Sequence, residues 1–143
     1  MSNLSFFLKQ NVEQEENKKY VASKRFKDEK GNPIEWELKN ITPEEDDAIR
    51  KSCTKRVPVV GGRKGEYTKD VDTSKYLATL VCKCVVYPNL NDAELQNSYG
   101  VMGAESSVRT MLLPGEYLDL VNKVQEVNGY NVTQEELVEE AKN

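Results

Sequence analysis

The chain has 143 residues, 38% apolar and 31% charged, with a formal net charge of −4 and a mean hydropathy of −0.69. Such a length fits one domain, and a chain of roughly 150 residues buries about 68–70% of its unfolded surface, so a modest core under a wet surface is expected. The absence of histidine removes the commonest general base and the commonest metal ligand together, and no stretch approaches the roughly 18 consecutive apolar residues of a membrane span. The N-terminal "MSNLSFFLKQ" lacks the basic start of a signal peptide. Together with three cysteines, an odd number, this points to a reducing compartment and free thiols, with the cytoplasm as the expected location. Charge is unevenly spread: residues 86–143 hold 3 basic and 10 acidic side chains. An acidic C-terminal part disfavours a phosphate backbone as partner.

In residues 3–12, Leu4, Phe7 and Leu8 have the i, i+3, i+4 spacing of a short amphipathic helix, with Phe6 off the stripe. The charged "EQEENKK" behind it reads as a linker. Segments 1–19 (apolar segment and linker), 20–130 (one domain) and 131–143 (acidic tail) are therefore expected to behave differently.

In "SKRFKDEKGNPIEWEL", residues 23–38, Phe26, Ile34, Trp36 and Leu38 share one parity with Tyr20 and Ala22 upstream. Side chains alternate along a strand, so these fall on one face of a β-hairpin turning at Gly31. Arg25, Lys27, Glu35 and Glu37 share the other face, where opposite charges can pair across strands. Parity leaves the register open, since pairing Phe26 with Ile34 or with Trp36 preserves both faces.

"ITPEEDDAIRKSC" predicts a helix capped by Thr42, with Pro43 at its first position and Glu45 completing a capping box. Residues 54–72 form two β-prone runs around a Gly-rich basic turn, a second hairpin. From Asp72 to Tyr87, Tyr76, Leu77, Leu80, Val81, Cys84 and Val85 recur at helical spacing; this is the expected central helix, ended by Pro88. A short helix capped by Asn91 follows, then one marked by Val108, Met111 and Leu112. The last opens at Pro114, carries the stripe Tyr117, Leu120, Val121, Val124 and Val127, and stops at Gly129, after which Tyr130 can fold back on Val124. The expected fold class is α+β: N-terminal β-hairpins packed with a mostly α-helical C-terminal half.

No pattern demands catalysis. On a helix, Cys82 and Cys84 point about 160° apart and cannot share one metal ion. Glu44, Glu45, Asp46 and Asp47 match no calcium-loop spacing and suit the positive end of a helix dipole. "GGRKGEY" lacks the spacing and the hydroxyl of a phosphate loop. The expectation is no enzyme, no cofactor and no metal. Two binding features remain: Phe6, Phe7 and Leu8 as a partner-binding anchor on a polar spacer, and a basic turn at Arg63 and Lys64 that offers an alternative role as a small nucleic-acid-binding or adaptor module.

The ordered series "FFLKQNV", "YVASKRFKDEKGNPIEWELKNIT", "DTSKYLATLVCKCVVYPNLNDAELQNSYGVMGA" and "MLLPGEYLDLVNKVQEVNGY" closely resembles the XkdN-like tail assembly chaperones of long-tailed bacteriophages and prophages. The likeness covers nearly the whole chain and diverges from Asn131 onward. It implies a non-catalytic factor that binds the tape-measure protein, a long apolar helical chain, keeps it soluble, and helps bring tail-tube subunits to it in the host cytoplasm. It supplies no ligand or catalytic motif to transfer, and it leaves self-association open.

Overall fold

The computed structural model describes residues 3–13 and 16–130; the expected acidic tail, 131–143, lies outside the described residues. It is an α+β fold with the strands concentrated in the first half and the helices in the second. Strands β1 (Lys18–Tyr20) and β2 (Trp36–Leu38) pair antiparallel, with Tyr20 opposite Trp36 and Lys18 opposite Leu38. Helix α1 (Pro43–Ser52), the hairpin β3 (Thr54–Pro58) and β4 (Tyr67–Val71), and helix α2 (Thr73–Cys84) follow. Strand β5 (Val85–Tyr87) returns to the first sheet, giving the order β1-β2-β5, and β3 and β4 form a separate two-stranded sheet. Helices α3 (Ala93–Ser98), α4 (Ala104–Met111) and α5 (Pro114–Val127) complete the fold.

Helix α2 is central and packs against α1, α4, α5 and β5. Its buried side chains are Tyr76, Ala78, Leu80, Val81 and Cys84; Tyr76, Leu80, Val81 and Cys84 share one core with Trp36 and Leu38 from β2 and Leu120, Val121 and Val124 from α5. Full burial of a Leu or Val stabilises by about 1.5–3 kcal/mol, so this stripe is the main support of the fold. Local punctuation agrees with the sequence. The Thr42 hydroxyl accepts from Glu45 N–H at 3.2 Å while the Glu45 carboxylate accepts from Thr42 N–H at 3.3 Å. Gly129, at φ 85°, takes the left-handed conformation past the end of α5.

Several expectations are corrected. Residues 3–12 are not one amphipathic α-helix but two 3-10 pieces, Asn3–Phe7 and Lys9–Asn11, broken at an extended Leu8. So short a stretch with nothing covering its stripe cannot offset helix nucleation. The central helix ends at Cys84 rather than at Pro88, because Val85, Val86 and Tyr87 leave it to pair with β2. These β-branched and aromatic residues suit a strand, and the residue before a proline avoids helical angles. Helix α3 is capped by Asp92, which accepts from Leu95 N–H at 3.0 Å, not by Asn91.

The first hairpin is interrupted. Near its turn, Ile34 N–H donates to Phe26 O at 2.8 Å and Lys27 bridges Pro33, whereas its base pairs Tyr20 with Trp36. Residues 21–26 on one arm thus face only 34–35 on the other, and the excess loops inward, burying Ala22 and Ser23. This loop carries Arg25 away from the outer face where alternation placed it. Its guanidinium donates to Met111 O at 2.8 Å and to Glu116 at 2.9 Å, tying the hairpin to the α4–α5 corner. Lys19, directly opposite Glu37 in the register, makes the cross-strand ion pair instead.

Candidate partner-binding surfaces

The N-terminal arm stands outside the core. Phe6 and Phe7 are 71% and 77% exposed, Leu8 39%, and neither 3-10 piece buries a residue. Asn11 Nδ2 donates to Ser5 O at 2.8 Å and links the two pieces. Phe6, Phe7 and Leu8 are thus three consecutive apolar side chains left uncovered, and covering each phenylalanine would contribute about 1.5–3 kcal/mol.

Arg63 and Lys64 lie at the tip of the β3–β4 hairpin, in a tight turn held by Gly62 N–H to Val59 O at 3.1 Å and Glu66 N–H to Arg63 O at 3.0 Å. Both are exposed, and Val60 beside them is fully so. They stand apart from the N-terminal arm in the chain, and no hydrogen bond or ion pair among the described residues joins them to it.

A third feature is a polar node where α1, α2 and the end of α5 meet. The Tyr76 hydroxyl donates to Asp46 Oδ1, Arg50 Nε to Asp46 Oδ2 at 3.0 Å, and the Tyr130 hydroxyl to the same oxygen at 3.3 Å. The Arg50 guanidinium lies 4.4 Å above the Tyr76 ring. Burial pushes the Asp46 carboxyl upward, but hydrogen bonds from Tyr76 and Arg50 outweigh it and hold the group below its ordinary value. Burial first, then the bond to Asp46, raises the Tyr76 phenol; its bond to Asp46 raises Arg50. Asp46, Arg50 and Tyr76 therefore rest in their usual protonation states near neutrality. Sequence reasoning missed this node. The spacing of Tyr76 marks only the apolar stripe, and nothing near Tyr130 in the chain signals that its hydroxyl reaches across to α1. Asp46 and Arg50, four residues apart, were the one local sign.

The carboxylates 44–47 are accounted for in part by this folding: Glu45 closes the capping box and Asp46 serves the node. The thiols are dispersed. Cys84 is buried against Asn128 Nδ2 at 3.5 Å, and Cys53 lies 3.8 Å from the Thr79 hydroxyl. Burial pushes the Cys82 thiol up to about 12, reinforced by Glu105, and burial also raises Cys84, so neither presents a thiolate. Among the described residues no three His, Cys, Asp or Glu side chains converge to hold a metal ion, and no helix is long and apolar enough to cross a membrane.

An α+β body with an exposed apolar arm and a projecting hairpin suits a protein that works by binding. The chain belongs to the phage XkdN-like tail assembly chaperone family, whose profile matches residues 4–142. It is 36% identical to the phage-like element PBSX protein XkdN of Bacillus subtilis strain 168 over 141 residues, covering 98% of this chain and 93% of that protein. It is 33% identical to YqbN of the same strain with the same coverage. The crystal structure of YqbN matches with a TM-score of 0.75 and 26% identity over 92% of this chain and 99% of that one. Membership of a tail assembly chaperone family points to a non-enzymatic role in which phage tail proteins are bound.

Proposed function

We propose that the protein binds the tape-measure protein in the host cytoplasm, keeps it soluble while the tail is assembled, and helps bring tail-tube subunits to it. The observation that carries this reading, within the family to which the chain belongs, is the exposure of Phe6, Phe7 and Leu8. These side chains take no part in the core of the described residues, so a partner can cover them without unfolding the body. In this reading the apolar segment and linker ahead of β1 act as a tethered contact arm, and the body begins with β1 at Lys18, two residues before the expected boundary at Tyr20. A long apolar helical chain suits such a surface, since an exposed apolar cluster gains most from an apolar partner. The acidic C-terminal half gives the complex a charged, soluble exterior.

Co-expression with the tape-measure protein encoded alongside it tests the proposal. The expected result is soluble tape-measure protein that co-purifies with the chaperone; insoluble tape-measure protein, with the chaperone alone in the supernatant, would overturn it.

A further inference from the structure

The β3–β4 hairpin is a two-stranded sheet with no third strand among the described residues, and only Thr54, Val57 and Val71 of its ten strand residues are even partly covered. Residues 54–71 carry five basic side chains, Lys55, Arg56, Arg63, Lys64 and Lys69, against two acidic ones, Glu66 and Asp70. The register sets Arg56 directly opposite Lys69, a like-charge pair that destabilises an isolated hairpin. Arg56 is stacked 4.7 Å above the Tyr67 ring. Beside this pair lies an open cleft of about 280 Å³ lined by Lys51, Thr54, Lys55, Arg56 and Lys69. Lys55 comes within 3.9 Å of Asp72, but among the described residues no carboxylate lies within 4.0 Å of Lys51, Arg56 or Lys69. The arrangement concentrates positive charge on a projecting sheet without neutralising it.

We infer that the basic face of this hairpin is the docking surface for the acidic helical half of a second copy of the chain, in a head-to-tail contact onto the outer face of α5. The charge complementarity is within the molecule: described residues 86–130 carry six acidic and two basic side chains, opposite in sign to the hairpin. On α5, Leu118 is 61% exposed and Asp119 and Glu126 are exposed, with Lys123 one turn on from Asp119 and 3.5 Å from Glu126. The lengths match, since fourteen helical residues span about 21 Å and five strand residues about 17 Å. Pairing of two hairpins edge to edge, which the open strand edges would otherwise invite, brings like charges together. The contact joins different patches of the two copies, so it generates a ring or an open chain of subunits rather than a two-fold dimer. It uses neither the N-terminal arm nor the tape-measure protein and stands independently of that reading.

Sedimentation velocity over a concentration series tests it, with Arg56→Glu/Lys69→Glu, Asp119→Lys/Glu126→Lys and the chain carrying all four changes. At low salt the wild-type chain is expected to gain mass with concentration, and raising the salt is expected to weaken association by about tenfold or more. Each double variant should remain monomeric with an unchanged circular-dichroism spectrum, and the fourfold variant, with its charges exchanged, should associate again. A wild-type chain that is monomeric throughout, double variants that associate as it does, or a fourfold variant that stays monomeric would each overturn the inference. So would a monomeric chain whose hairpin shifts a DNA duplex in a gel, which would make the surface one for nucleic acid.

Discussion

The two hairpins of this chain have similar lengths and similarly charged outer residues, yet opposite fates. In the first, the parity of Phe26, Ile34, Trp36 and Leu38 is continued in space: Trp36 and Leu38 are buried, Phe26 packs on Trp36 with ring centroids 6.2 Å apart, and β5 closes the far edge of β2. In the second, the only apolar strand side chains are Val57, Pro58, Tyr67 and Val71, and no element covers either face fully. Alternation alone thus does not make a core strand. It needs large apolar side chains in consecutive inward positions and a helix to receive them, here α2. What is left uncovered becomes available to a partner.

The contrast is broken most severely at Trp36. Trp36→Ala is expected to cost about 3–5 kcal/mol, the range for deleting a fully buried aromatic, read as a large fall in the denaturation midpoint. An effect no greater than that of a surface change would mean that the first hairpin is as peripheral as the second. A smaller change sharpens the boundary of the body: Thr42→Ala removes one half of the capping box and is expected to cost about 1 kcal/mol, measured by urea unfolding.

The tie between the first hairpin and the helices is open to a pH experiment. Hydrogen bonds from the Ser23 hydroxyl, Leu113 N–H and Arg25 bring Glu116 down to about 2 from 4.5. A carboxyl whose folded value is depressed stabilises the protein above its unfolded value and loses that contribution as pH falls toward the folded one. The melting temperature should therefore decline between about pH 4.5 and pH 2, and Glu116→Gln should flatten that part of the curve. An unchanged slope would show that Arg25 does not hold the hairpin through this carboxylate. The smallest effect is expected in the second hairpin, where Val60→Ser should shift stability by less than about 0.5 kcal/mol.

Much of this fold is legible where a signal is complete within a few residues. Thr42 and Glu45, Pro114, Gly129 and the α5 stripe Leu120, Val121 and Val124 all act on neighbours in the chain, and each lies where local rules place it. The features that sequence reasoning missed depend on distant partners. Val85 continues the helical period of Leu77 and Val81, so its departure into β5 is decided by β2, which it meets opposite Leu38. Arg25 alternates with the outer face of its hairpin, and only the inward loop of residues 21–26 explains why it reaches Met111 and Glu116. The polar node was hidden for a similar reason: the Tyr76 ring belongs to the core while its hydroxyl belongs to Asp46. Of the candidate surfaces, the apolar composition of Phe6, Phe7 and Leu8 and the charge of the spacer were legible, whereas the 3-10 geometry of the arm was not.

The body is expected to fold without the N-terminal arm, and the arm to contribute to holding the tape-measure protein. Removing residues 1–12 and measuring melting temperature and tape-measure binding on the same preparation tests it most directly. A nearly unchanged melting temperature and a clear loss of binding are expected. A large fall in melting temperature, or binding equal to that of the full chain, would contradict it.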